Sequence, residues 1–252
     1  EGHPEDLPTE ADEYESLDIT NLGSIPHYFL DRDVTELYLL GDVNKRQIFD
    51  ESRLDNVDST VDNLLSTIDN KGDQNLIRAG VRYLEMKGLD VRGVDDLFDD
   101  LIPRERVLAG PDCRGEFQDT LSVLEPVATS MADYEVGQSV FGKNETVVAV
   151  EAVEGTSQTI RRAGEQAGEN CIMLKVARSN QDMRFDVPVT GVETVRQLME
   201  IDAAALFIEA GNTLWVQREE CRKLAEKNGI GIYSWERPGQ SAFGRVFQWF
   251  RG

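Results

Sequence analysis

The sequence predicts an α/β protein of two domains, and three observations carry that prediction. Short apolar runs of strand length alternate with amphipathic helical stretches along the whole chain. Several of those runs, such as Val147–Val150, are apolar without interruption, the pattern of a strand covered on both faces. Residues 102–115 (IPRERVLAGPDCRG) break the pattern with two prolines, two glycines and three arginines. They divide a Rossmann-like parallel-sheet domain, residues 1–110, from a mixed α/β catalytic domain, residues 111–252.

In the first half, Ile25, Tyr28 and Phe29 recur at helical spacing over 24–30, and VTELYLL (34–40) reads as a buried strand. Val61, Leu64, Leu65 and Ile68 line one face of a helix over 59–68. Lys71-Gly72-Asp73 marks a turn, and a helix over 75–87 stops at Gly88. A short strand at 89–91 and a helical segment at 94–101 complete the half. In the second half, Phe117, Leu121, Leu124, Val127 and Met131 predict a helix that Pro126 kinks. A strand pair, 138–141 and 146–152, turns around Gly142-Lys143-Asn144, and a helix occupies 157–166. Strands are expected at 172–176, 183–187, 205–208, 213–216 and 230–233, and helices at 193–201 and 217–227. Thr190 and Glu193 have the spacing of a capping box for the first of those helices.

The charge is strongly acidic, net −21, and uneven: residues 1–100 carry −16 and the rest −5. Such a surface repels phosphate backbones, which argues against nucleic-acid binding, and any anionic ligand requires a local gathering of cations. No apolar run reaches the roughly 18 residues of a membrane span, and no basic-then-apolar leader is visible. Three cysteines without a C-x-x-C spacing point to a reducing cytoplasm, and two histidines leave little from which to build a zinc site. G-x-S-x-G, H-E-x-x-H, a P-loop and a complete G-x-G-x-x-G are all absent. What remains is metal-assisted attack of water, organised by carboxylates.

Three stretches offer that chemistry. The strand ending at Glu151 is followed by Glu154-Gly155-Thr156 and a helix carrying Arg161 and Arg162, a strand-to-helix turn whose backbone N–H groups suit a phosphate oxygen. Lys175, Arg178 and Gln181 precede Arg184 and Asp186; on an extended strand these last two share one face, and Pro188 ends the pairing. A cation and a carboxylate projected together suit a phosphate and a Mg²⁺ ion. Lys45 in the loop 41–46, and Lys71, Gly72 and Asp73, are candidates for a further phosphate contact in the acidic half.

The strings VVAVEAVEGT (147–156), TIRRAG (159–164), LKVARSNQDMRFDVPVTG (174–191) and IEAGNTL (208–214) resemble the C-terminal domain of the LpxI family. LLGDVNK (39–45) and KGDQNLIRAGVRYLEMKG (71–88) resemble its N-terminal domain. The resemblance implies Mg²⁺-dependent hydrolysis of the pyrophosphate of UDP-2,3-diacylglucosamine to UMP and 2,3-diacylglucosamine 1-phosphate (lipid X), a step towards lipid A. It also implies a substrate held between two domains. The family's essential aspartate falls on Asp186. The residue reading adds Arg184 and Glu151 as catalytic candidates, Asp186 and Glu151 as candidate metal ligands, and Lys45, Lys71, Gly72, Asp73, Glu154, Gly155, Thr156, Lys175, Arg178 and Gln181 as candidate substrate contacts. Family members begin with a strand and turn of the type G-L-I-A-G-x-G-x-L-P, and residue 1 lies beyond it. Arg178-Ser179 stands where the family often has Lys-Pro, keeping the charge but not the geometry. The alternative reading is a non-catalytic binding module of the same fold for a nucleotide sugar or glycolipid phosphate. Phe243, Val246, Phe247 and Phe250, flanked by Arg245 and Arg251, recur at helical spacing and suit either a short helix for peripheral contact with the inner face of the membrane or a face packed onto the C-terminal domain.

Overall fold

The structure, a computed structural model, describes residues 11–17, 21–41, 73–104 and 106–238. The helix expected at 59–68, the loop with Lys45, Lys71 and Gly72, and the helix expected over 243–251 lie outside the described residues. The chain divides by its contacts into two units. Glu1–Asp96 and Arg184–Asp186 form one; Leu97–Met183 and Val187–Gly252 form the other.

In the first unit, helix α1 (Ser24–Leu30) precedes strand β1 (Glu36–Tyr38), and helix α2 (Asp73–Met86) precedes strand β2 (Asp90–Arg92). The two strands pair in parallel, Leu37 opposite Val91. Helix α2 forms because Ile77, Val81 and Leu84 recur on one face, and that face packs on Leu37, Leu89 and Val91. Its end is set by Gly88 at φ +98°, where a side chain is strained, and the Leu89 N–H closes back on the Leu84 carbonyl. Phe185, about a hundred residues further on, is buried in this same core. Helix α3 (Val94–Phe98) spans the boundary after Asp96, and the 3₁₀ turn that follows, Asp99–Leu101, belongs to the second unit.

The second unit is a six-stranded sheet between two helical layers. Strand β3 (Val107–Ala109) and helix α4 (Gln118–Asp133) lead into the hairpin β4 (Ser139–Lys143) and β5 (Thr146–Val150). Then come α5 (Thr156–Ala167), β6 (Ile172–Lys175), β7 (Val189–Thr190), α6 (Val192–Glu200), β8 (Ala205–Glu209), β9 (Leu214–Trp215), α7 (Arg218–Asn228) and β10 (Gly231–Trp235). The sheet order is β3-β10-β8-β6-β4-β5, with β6, β8 and β10 parallel and β3, β4 and β5 antiparallel to their neighbours. Alternation along each strand feeds two cores. Met173, Leu206, Ile208 and Ile232 face α5, α6 and α7, whereas Ile172, Leu174, Phe207 and Tyr233 face α4. Every residue of β6 and β8 is buried, which explains the apolar runs 172–174 and 205–208 that precede their charged last residues, Lys175 and Glu209. Burying each large apolar side chain contributes about 1.5–3 kcal/mol.

Several expectations need local correction. The hairpin turns at Asn144 and Glu145, both with positive φ, the two-residue turn that matches strand twist, so Gly142 lies within β4. The larger correction concerns 183–187. No strand forms there: Met183 to Phe185 are turns and bends, and Asp186 has φ +51°. A left-handed residue breaks the alternation of an extended strand, so Arg184 and Asp186 do not share a strand face. The buried ring of Phe185 is what fixes this segment. The capping box does not form either. The residue before α6 is Gly191, no side chain of its own segment caps the helix, and the Val192 N–H instead donates to Gln217 Oε1 at 3.4 Å.

Candidate active site

The carboxyl end of the parallel strands gathers Glu151, Lys175 and Arg178 from among the charged residues that the sequence singles out. Ser139 pairs with Lys175, and Lys175 with Ile208. Strand β5 runs antiparallel to β4, so its outgoing residue, Glu151, reaches the same end, its N–H donating to the Ser139 carbonyl at 2.8 Å. This is where α/β sheets place ligands.

Glu151 is held on both carboxylate oxygens. Thr156 Oγ1 donates to Oε1 at 2.7 Å, and the Gln138 N–H reaches Oε2 at 3.4 Å. Gly137 permits the approach, since a Cβ there would sit 2.2 Å from the Glu151 carbonyl oxygen. Gly155, at φ +82°, turns the chain into α5, whose first turn has no side-chain cap, leaving backbone N–H donors available. Glu154 is bound to Arg162, which also donates to the Val150 carbonyl at 2.6 Å. An N–H of its own backbone, and then the Arg162 guanidinium, hold the Glu154 carboxyl below its ordinary range.

Lys175 and Arg178, at the end of β6 and just beyond it, are buried at 7% and 6% exposure. Two buried positive charges thus lie at one sheet end of an otherwise acidic chain. The Ser139 hydroxyl and the Gln138 side-chain NH₂ are also buried here, with no hydrogen-bond partner among the described residues. Gln181 closes a turn with Arg178: its N–H donates to the Arg178 carbonyl at 3.2 Å, and its Oε1 accepts the Arg178 N–H at 3.5 Å.

Arg184 and Asp186 group with the first unit. Arg184 forms an ion pair with Glu85 of α2 at 2.6 Å. Asp186 keeps a left-handed backbone without being glycine, a conformation that costs free energy and recurs at functional sites. Asp73 is the first residue of α2. Among the described residues, no three His, Cys, Asp or Glu side chains gather into a metal cluster. Mg²⁺ is compatible with that, because it commonly keeps several waters and takes one or two carboxylates together with substrate phosphates.

One group of residues is missing from the sequence reading. Glu209, the last residue of β8 and 1% exposed, forms a two-point ion pair with Arg237, at 3.2 Å from Nε and 2.9 Å from Nη2. Asn212 donates to the same carboxylate at 2.9 Å. An acid closing an otherwise apolar strand, ALFIE, was the available signal for Glu209; nothing in the local sequence marks Arg237 as its partner.

Residues 1–101 match the family model for the LpxI N-terminal domain, and residues 109–233 match that for the LpxI C-terminal domain. The chain belongs to the LpxI family. It is similar to the UDP-2,3-diacylglucosamine pyrophosphatase LpxI of Caulobacter vibrioides, 28% identical over 183 residues, which cover 67% of this chain and 64% of that protein. The match thus spans just under two thirds of the relative's length. The mixed α/β architecture agrees with the resemblance. Among the described residues no helix is long and apolar enough to cross a membrane.

Proposed function

We propose that this LpxI-family chain hydrolyses the pyrophosphate of UDP-2,3-diacylglucosamine, releasing UMP and 2,3-diacylglucosamine 1-phosphate. The observation that carries the reading is the pair of buried cations, Lys175 and Arg178, at the carboxyl end of β6 in a chain of net charge −21. A pyrophosphate diester is the kind of anion that such a site recognises, and the relative's activity names one.

In the reaction, water adds to one phosphorus and the bond from that phosphorus to the bridging oxygen breaks. The bridging oxygen leaves on the other phosphate. Lys175 and Arg178 neutralise charge on the phosphates as it accumulates on the leaving group. The α5 N-terminus adds backbone N–H donors and a favourable dipole to the same sheet end. Glu151, fixed by Thr156 and Gln138, orients this end and retains lone pairs for a further donor. Asp186 is the carboxylate assigned to holding Mg²⁺ and orienting the water, with Glu151 as the second carboxylate candidate. When bound, Mg²⁺ supplies phosphate charge neutralisation and acidifies a coordinated water. Arg184 contributes to phosphate binding.

The test is product identity. Full-length protein incubated with UDP-2,3-diacylglucosamine and Mg²⁺ is expected to yield UMP and the 1-phosphate in equal amounts. Stoichiometric binding of intact substrate without either product would instead establish the non-catalytic module.

A further inference from the structure

Arg178 is flanked by two residues whose backbone is captured by a buried network that the proposed mechanism does not use. On one side, the Ala177 N–H donates to Glu209 Oε2 at 2.9 Å, and the Ala177 carbonyl accepts from Arg237 Nη2 at 2.7 Å. On the other, Ser179 Oγ accepts from Arg237 Nη1 at 2.7 Å and donates to Asp133 Oδ2 at 2.7 Å, while the Ser179 N–H donates to Asp133 Oδ1 at 2.7 Å. Asp133 is the last residue of α4, Glu209 the last of β8, and Arg237 lies two residues past β10. Three separate elements thus converge on the residues either side of Arg178.

We propose that Arg237 and Glu209, with Asp133, form a positioning brace that fixes the Arg178 backbone, and so its guanidinium, for the phosphates of the substrate. The inference rests on the reading of Arg178 as a phosphate-binding residue. The physical argument is that a buried ion pair seldom stabilises a fold more than apolar side chains of equal volume would. What a fork-shaped guanidinium and a carboxylate do provide is several directional hydrogen bonds at fixed angles. Here those bonds go to the N–H and C=O of a single peptide residue and to the hydroxyl two positions on. A site group held within tenths of an ångström by such partners is preorganised for binding. Arg237 lies beyond residues 109–233, the span matched to the LpxI C-terminal domain.

A double-mutant cycle between Arg237→Gln and Arg178→Ala tests this, with KM for UDP-2,3-diacylglucosamine and the dissociation constant for UDP as parallel readouts. UDP carries the pyrophosphate and needs no turnover, so the second readout stands even if the chain does not hydrolyse the lipid substrate. In the wild-type background Arg237→Gln is expected to raise both constants about tenfold, as for neighbours that act through one group. In the Arg178→Ala background it is expected to change them by less than about twofold. Ser179→Ala, which removes one hydroxyl and leaves the ion pair, serves where Arg237→Gln fails to fold, with the same non-additive pattern expected. An equal effect of Arg237→Gln in both backgrounds would overturn the brace while leaving the activity intact. Unchanged constants for Arg178→Ala itself would overturn both the brace and the role of Arg178. Absence of products with wild-type protein would overturn the proposed function alone.

Discussion

Glu151 and Asp186, the two carboxylates central to the proposed chemistry, sit in opposite kinds of surroundings. Glu151 closes a regular strand, and both its oxygens are engaged by groups of the same unit, Thr156 Oγ1 and the Gln138 N–H. Asp186 belongs to no strand or helix; its backbone is left-handed, and it follows a phenylalanine buried in the first unit's core. Glu151 is thus placed by its own strand and its donors, whereas Asp186 is placed on a left-handed backbone beside a buried neighbour. The proposed mechanism gives organisation mainly to Glu151 and chemistry mainly to Asp186.

Chelation should have the largest effect on this comparison. Removing divalent ions is expected to abolish turnover, and adding back Mg²⁺ to restore it, followed as UMP release; undiminished release in chelator would remove the ion from the account of Asp186. Glu151→Gln comes next. The amide oxygen still accepts the Thr156 hydroxyl, so a loss of only about tenfold in kcat/KM is expected, on the scale of a perturbed positioning contact. A loss as deep as that of Asp186 would erase the distinction between the two.

Arg184 sharpens the Asp186 side. Its ion pair with Glu85 is partly exposed on both partners, so breaking it should cost no more than about 1 kcal/mol of stability. Arg184→Ala and Glu85→Gln should therefore melt alike. Only Arg184→Ala should raise KM, and an equal rise in Glu85→Gln would reduce Arg184 to a structural partner. The smallest effect belongs beside Glu151. The Glu154 carboxyl is held below its ordinary value of 4.5 by its own backbone N–H and by Arg162. Its stabilisation is therefore complete above that pH and is lost as pH falls through the lower, folded value. Arg162→Gln should therefore lower stability by a small, constant amount from neutrality down to about pH 4.5, and its difference from wild type should shrink as pH falls further.

The same contrast explains what the sequence shows and what it hides. The stretch 147–156 was legible because its signals are local: an apolar strand, an acid at its end, then glycine and threonine opening a helix. The stretch 183–187 has equally good alternation, Arg and Asp against Phe and Val, yet forms no strand. Its conformation follows from where Phe185 is buried, and that partner surface is about a hundred residues away in sequence. The failed capping box has the same origin, since Gln217 supplies the acceptor for α6 from a distant element. The Glu209–Arg237 pair spans 28 residues and two strands, and neither residue's local pattern announces the other. The strands of the parallel core nonetheless agree with the expectation because continuous apolar runs encode them, with each run carrying its own evidence.

Steady-state and binding measurements on Asp186→Asn test the central assignment most directly. A carboxylate that acts on the metal and the attacking water, rather than on ground-state affinity, predicts a fall in turnover of at least about a hundredfold. Affinity for UDP should stay within about threefold of wild type, because Lys175 and Arg178 still meet the phosphates. Near-normal turnover of Asp186→Asn with Mg²⁺ present would contradict the assignment of Asp186 to the chemical step.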